Sequence, residues 1–141
     1  EGGTYYVDGE VATSFDPAVA GEYALVYEYT ENGCTNTAEG MIVVNPLPDV
    51  MLMAYEPICE GSDEFDLYGG TPEGGTYYVD GIEAITFIPE FAGDYELEYY
   101  YMDPETGCAA SAFGMIVVNP QPVVTCPEPF AVCLNDAPWE L

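Results

Sequence analysis

Glu1-Gly-Gly-Thr-Tyr-Tyr-Val-Asp-Gly9 returns unchanged as Glu73-Gly-Gly-Thr-Tyr-Tyr-Val-Asp-Gly81, an offset of 72 residues. Met41-Ile-Val-Val-Asn-Pro46 returns as Met115-Ile-Val-Val-Asn-Pro120, an offset of 74. The difference falls between Tyr29 and Cys34, where Thr30-Glu-Asn-Gly33 becomes Met102-Asp-Pro-Glu-Thr-Gly107. Repeats of roughly 20 to 50 residues mark solenoids and propellers, whose units cannot stand alone. A unit of about 70 to 75 residues can bury a small core of its own. The sequence therefore reads as domains in series, an arrangement suited to spanning distance.

Inside each repeat the strand signal dominates. Tyr23, Leu25, Tyr27 and Tyr29 alternate with Ala24, Val26 and Glu28, and Tyr95, Leu97, Tyr99 and Tyr101 alternate with Glu96, Glu98 and Tyr100. A period of two puts the Tyr/Leu set on a buried face and the acids in water. Asp8-Gly9 and Asp80-Gly81, each after Thr-Tyr-Tyr-Val, are tight-turn signals. The 15 Gly and 12 Pro punctuate short segments, none with a helical period. The expected fold is all-β: β-sandwich domains strung end to end.

Asn45-Pro-Leu-Pro48 and Asn119-Pro-Gln-Pro122 read as linkers, because paired prolines hold the chain extended and cannot join a central ladder. Residues 46–119 are then one complete domain. Residues 1–45 are the C-terminal part of another, and 120–141, which match 46–67, are the N-terminal part of the next. Only the equivalent of Tyr68-Gly-Gly-Thr-Pro72 separates the end of one copy from the start of another. Residues 120–141 of one copy are thus expected to complete 1–45 of the adjacent copy, through a covalent loop or by strand donation.

The chain has no Lys, Arg or His against 26 Asp plus Glu, where average usage gives roughly 15 or more basic residues. Phosphate binding needs cations, so nucleic acid is excluded as a partner and anionic membrane surfaces are disfavoured. Side-chain salt bridges are impossible. No run of apolar residues is long enough to predict membrane insertion. Hydrophobic residues at 49% and aromatics at 14% argue for a folded chain despite the acidity. The acids, spread between Tyr, Val and Ile, read as a solvated, self-repelling surface.

Cys34 corresponds to Cys108, and Cys59 to Cys133, at an offset of 74. Each complete repeat thus carries an early and a late cysteine, which suggests a Cys59–Cys108 disulfide and its equivalent, Cys133 to Cys34, across the junction between copies. Closing a loop of about 50 residues contributes roughly 4 kcal/mol in the chain-entropy model and implies an oxidising location. The alternative is a pair of buried free thiols. Without histidine or Cys-x-x-Cys there is no zinc signature. Cys126 has no counterpart, since Leu52 stands at that position in the preceding repeat.

An enzyme is not expected, because acid–base work would fall to carboxylates alone. No cofactor is implied beyond weak calcium, for which Asp63, Glu64 and Asp66, with Asp103 and Glu105, are candidate loop ligands; neither cluster has EF-hand spacing. The 13 tyrosines read first as core. Tyr6, Tyr78 and Tyr100, on or near the other face, are the candidates for stacking on a sugar.

The pattern carried by Cys59, Leu67, Gly69, Gly70, Pro72, Gly74 to Tyr77, Phe87, Pro89, Ala92, Gly93, Tyr95, Leu97, Tyr99, Tyr101, Gly107, Cys108 and Ile116 to Pro122 resembles a known family. It is similar to the Ig-like repeats of very large secreted surface proteins of Bacteroidota, which include gliding adhesins of the SprB type and other type IX secretion substrates. The resemblance covers essentially the whole chain. It implies tandem Ig-like sandwiches in an extracellular, cell-surface filament or adhesin stalk. The implied partners are neighbouring repeats of the same fibre, and no catalytic residues carry over. A glycan-binding repeat using exposed tyrosines is the alternative, its surface ligand unspecified.

Overall fold

The computed structural model describes residues 2–126 and Ala131, and among them every regular element is a β-strand. Strands β1 (Thr4–Val7), β2 (Glu10–Ala12), β3 (Gly21–Glu31) and β4 (Cys34–Val44) form an antiparallel sheet in the order β2-β1-β3-β4. The chain continues through β5 (Met51–Leu52), β6 (Ile58–Cys59), β7 (Phe65–Asp66), β8 (Gly70–Thr71), β9 (Thr76–Val79), β10 (Ile82–Ala84), β11 (Thr86–Phe87), β12 (Gly93–Met102) and β13 (Ala109–Asn119). Five of these make a sheet in the order β10-β9-β12-β13-β6, while β7 pairs with β11 and β5 with β8. The all-β expectation holds.

The turns follow from their residues. Asp8 and Gly9 take φ of 48° and 84°, and Asp80 and Gly81 take 48° and 78°. Positive φ at both central positions gives a two-residue hairpin its correct twist, and Asp-Gly tolerates it at low cost. The aspartate has a second task. The Ala24 N–H donates to the Asp8 carboxylate at 2.8 Å, and the Glu96 N–H donates to that of Asp80 at 2.9 Å, tying each hairpin tip to the next strand. Asn32-Gly33 closes β3 onto β4 in the same way, with φ of 50° and 82°. Between β12 and β13 the longer Asp103–Gly107 turn closes through a Gly107 N–H to Asp103 carbonyl bond of 2.8 Å. The two-residue difference between the repeats is absorbed there.

The core of the second half rests on the alternation. Leu97 and Ile116 are fully buried, and Tyr99 and Val118 nearly so, while Glu96 stays in water. Leu52, Phe65, Leu67 and Phe87, from the two short ladders and the segments beside them, pack onto that face. The Tyr99 hydroxyl donates to the Pro72 carbonyl at 2.5 Å and accepts the Gly75 N–H at 2.8 Å. The Tyr77 hydroxyl accepts the Gly70 N–H at 2.8 Å, and its ring lies 4.7 Å from that of Tyr99. The glycine pairs permit this approach. A Cβ on Gly75 would lie 2.5 Å from the Tyr100 carbonyl oxygen, and one on Gly70 would lie 2.5 Å from the Tyr99 ring.

Because the obstruction at Gly75 includes backbone, it has no soft relief. Gly75→Ala is expected to destabilise the fold by about 1–3 kcal/mol. For a domain of this size each kcal/mol lowers the melting temperature by roughly 4–8 °C, which calorimetry will read directly. An unchanged melting temperature would refute this account of the glycine.

Candidate functional site

The first sheet reproduces the second with its cover removed. Tyr5 faces Tyr27 and Tyr23 faces Ile42, as Tyr77 faces Tyr99 and Tyr95 faces Ile116. The ring spacing of Tyr5 and Tyr27, 4.7 Å, equals that of the later pair. Yet Leu25, Tyr27 and Ile42 are only half-buried and Tyr5 is 51% exposed. Their counterparts Leu97 and Ile116 are at 0% and Tyr99 is at 2%. The difference is an open apolar groove lined by Tyr5, Val7, Phe15, Leu25 and Ile42. In the second half that face is covered from the 51–72 segment, which precedes the repeated Gly-Gly-Thr-Tyr-Tyr.

The cysteines depart from expectation. Cys34, Cys59, Cys108 and Cys126 are free thiols. Cys59 pairs with Asn119, at the last residue of β13, whereas Cys108 immediately precedes the first. With 11 residues in that strand at about 3.3 Å each, the two cysteines stand roughly 36 Å apart. A disulfide needs Cα atoms within about 7 Å, so the expected Cys59–Cys108 bond does not belong to this fold. Cys133, and with it the expected bond to Cys34, lies outside the described residues. The Cys108 thiol instead donates to the Asn45 carbonyl, Sγ to O 3.9 Å. Sequence reasoning missed this contact between the late cysteine and the preceding linker.

Tyr6, Tyr78 and Tyr100 stand on the side of their sheets opposite the core-facing tyrosines Tyr5, Tyr77 and Tyr99. Tyr78 sits between Glu83 on β10 and Glu98 on β12, and Tyr100 sits between Thr76 and Ser111. Both are half-buried, and the Ser111 hydroxyl donates to Glu98 at 2.6 Å. Tyr6 donates to Glu28 at 3.3 Å, and that carboxylate's charge pushes the phenol above its ordinary value. These rings are interleaved with carboxylates rather than joined into a platform. Comparison of the chain with protein-family models, with curated proteins and with solved structures finds no match. No helix among the described residues is long and apolar enough to cross a membrane.

The candidate calcium ligands fall into two distant groups. Asp63 and Glu64 lie in the β6–β7 loop and Asp66 pairs with Thr86. That loop is held near the Asn119 end, where the Glu60 N–H donates to the Asn119 carbonyl and Gly61 to Pro89, both at 2.8 Å. Asp103 and Glu105 lie at the other end of β13. There the Asp103 carboxylate accepts the Glu105 N–H at 2.8 Å. That bond, followed by one from the Thr106 hydroxyl, holds its carboxyl below the usual aspartate range. Asp103 therefore braces its own turn. Among the described residues no three Asp, Glu or Cys side chains gather to hold a metal. Calcium and sodium at equal ionic strength are accordingly expected to give the same melting curve; a calcium-specific rise, by mass action on the folded state, would show a bound site.

Proposed function

We propose that this chain is a structural, non-catalytic repeat of an extracellular surface filament or adhesin stalk. It is built of tandem Ig-like sandwiches that hold an adhesive tip away from the cell. The observation that carries this reading is the uncovered apolar face of the first sheet. In this reading residues 46–119 are one complete sandwich, the apolar face formed within residues 1–45 is to be covered by a neighbouring repeat, and residues 120–141 repeat in sequence the segment that covers the second sheet. Chain then follows chain, each completing the next. The linker supports the same reading: the Gln121 side-chain amide donates to the Glu60 carbonyl at 2.8 Å, fastening the exit strand to the domain it leaves. The resemblance to secreted Bacteroidota surface repeats supports export by the type IX route and a place in gliding or adhesion. A second reading, glycan binding on the repeat itself, draws on Tyr78 and Tyr100 beside the exposed Phe113 and Met115; saturable glycan binding abolished by Tyr78→Ala would favour it.

Electron microscopy of the intact protein tests the first reading. Strand length at ~3.3 Å per residue and an extended proline linker at ~3.1 Å per residue set a bead spacing of about 45 Å. Beaded filaments of that period are expected, and isolated compact particles of single-copy mass would overturn the proposal.

A further inference from the structure

Cys59 and Cys108 stand at opposite ends of one domain, but each stands beside the same point of the repeat. Cys59 pairs with Asn119, and the neighbouring Glu60 N–H donates to the Asn119 carbonyl at 2.8 Å. The Cys108 thiol lies 3.9 Å from the carbonyl of Asn45. Asn45 and Asn119 are the same residue of the repeat, each opening an Asn-Pro-x-Pro linker. An early cysteine therefore flanks the linker from the domain behind it, and a late cysteine flanks it from the domain ahead. Superposing the two junctions places the late thiol 3.9 Å from this asparagine's carbonyl and the early cysteine on the strand beside the same asparagine, about one strand spacing, ~4.8 Å, away.

We propose that the cysteines join successive domains: Cys59 bonds the cysteine in the Cys108 position of the domain that follows. This rests on the serial arrangement proposed above. Where a second copy of the chain follows the first, Cys59 of one meets Cys34 of the next. By the same correspondence Cys133 of one meets Cys108 of the next. All four repeated cysteines are then used, Cys133 being assigned by its repeat position alone. Each bond forms as two thiols lose two protons and two electrons. An oxidised thiol–disulfide oxidoreductase accepts them by exchange, its own disulfide being reduced to two thiols. The bond clamps the proline linker from both sides, so the hinge between beads becomes a fixed joint.

Peptide mapping of the intact protein, purified without reductant and blocked with N-ethylmaleimide, decides the matter. Trypsin has no site, whereas a Glu-specific protease, which does not cut before proline, gives fragments 40–60, 32–39 and 106–140. Fragment 40–60 is expected linked to the late cysteine of the following domain, 32–39 where a second copy follows, and released on reduction. Linkage of 40–60 to 106–140, or 40–60 carrying the maleimide, overturns the inference. Microscopy of the same sample separates the two claims. Beaded filaments without the cross-link leave the serial reading standing and remove only the disulfide, whereas compact single-copy particles remove the serial reading itself.

Discussion

Residues 51–72 lie across the face that carries Leu97, Tyr99 and Ile116, and the fold depends on that cover. Each large side chain taken fully from water contributes about 1.5–3 kcal/mol, against a total stability of only about 5–15 kcal/mol for a domain. A sheet whose equivalent residues stand half in solvent is therefore not self-sufficient. The first sheet has the hairpins, the register and the tyrosine stack of the second, yet its Tyr5 is 51% exposed. Its strands pair as those of the second sheet do, and its apolar face is the more exposed. Whatever covers Leu25, Tyr27 and Ile42 becomes part of the same hydrophobic unit, and a repeat of 51–67 in residues 125–141 has the right pattern to do so.

Charge acts on the assembly more than on the fold. With 26 acids and no cations, stability comes from apolar burial and hydrogen bonds, with no side-chain ion pair. The acids instead mark surfaces to be kept apart. Short edge strands β2 and β10 carry Glu10 and Glu83, which discourage edge-to-edge pairing as lysine does elsewhere. Neighbouring copies of such composition repel one another within a Debye length, about 8 Å at physiological salt. Contact is left to the places where apolar groups or sulfur remain, among them the open face of the first sheet and the exposed Phe113 and Met115 of the second.

Much of this was legible in the sequence because it is local. The alternation from Tyr95 to Tyr101 placed Leu97 and Tyr99 inside, and Asp-Gly placed both hairpins. The glycine pairs were visible as a motif, but not their purpose: the room that Gly70 and Gly75 leave for Tyr99 is a contact across layers. The disulfide failed for a related reason. Repeat position reveals which cysteines are equivalent, not which are adjacent, and only the parallel pairing of β6 with the end of β13 separates Cys59 from Cys108. The two acidic loops, Asp63 to Asp66 and Asp103 to Glu105, likewise lie at opposite ends of β13, a separation that composition does not show. Serial order along the chain was readable; placement along the domain axis was not.

That axis is also what suits the fold to the serial arrangement proposed above. Many domains bring their termini close together, which suits insertion into other proteins. Here the chain passes Asn45 beside Cys108, at the start of β13, and leaves at Asn119, at its finish. By β6 the chain has reached the far end of β13, where Ile58 and Cys59 pair in parallel with Val118 and Asn119. Entry and exit are then a full strand length apart, and each added repeat advances the chain rather than folding it back. With the exit fastened by Gln121 to Glu60, the direction of one domain sets the starting direction of the next. In the proposed serial arrangement reach grows in proportion to repeat number, and stiffness is decided at the linkers, beside which Cys59 and Cys108 stand.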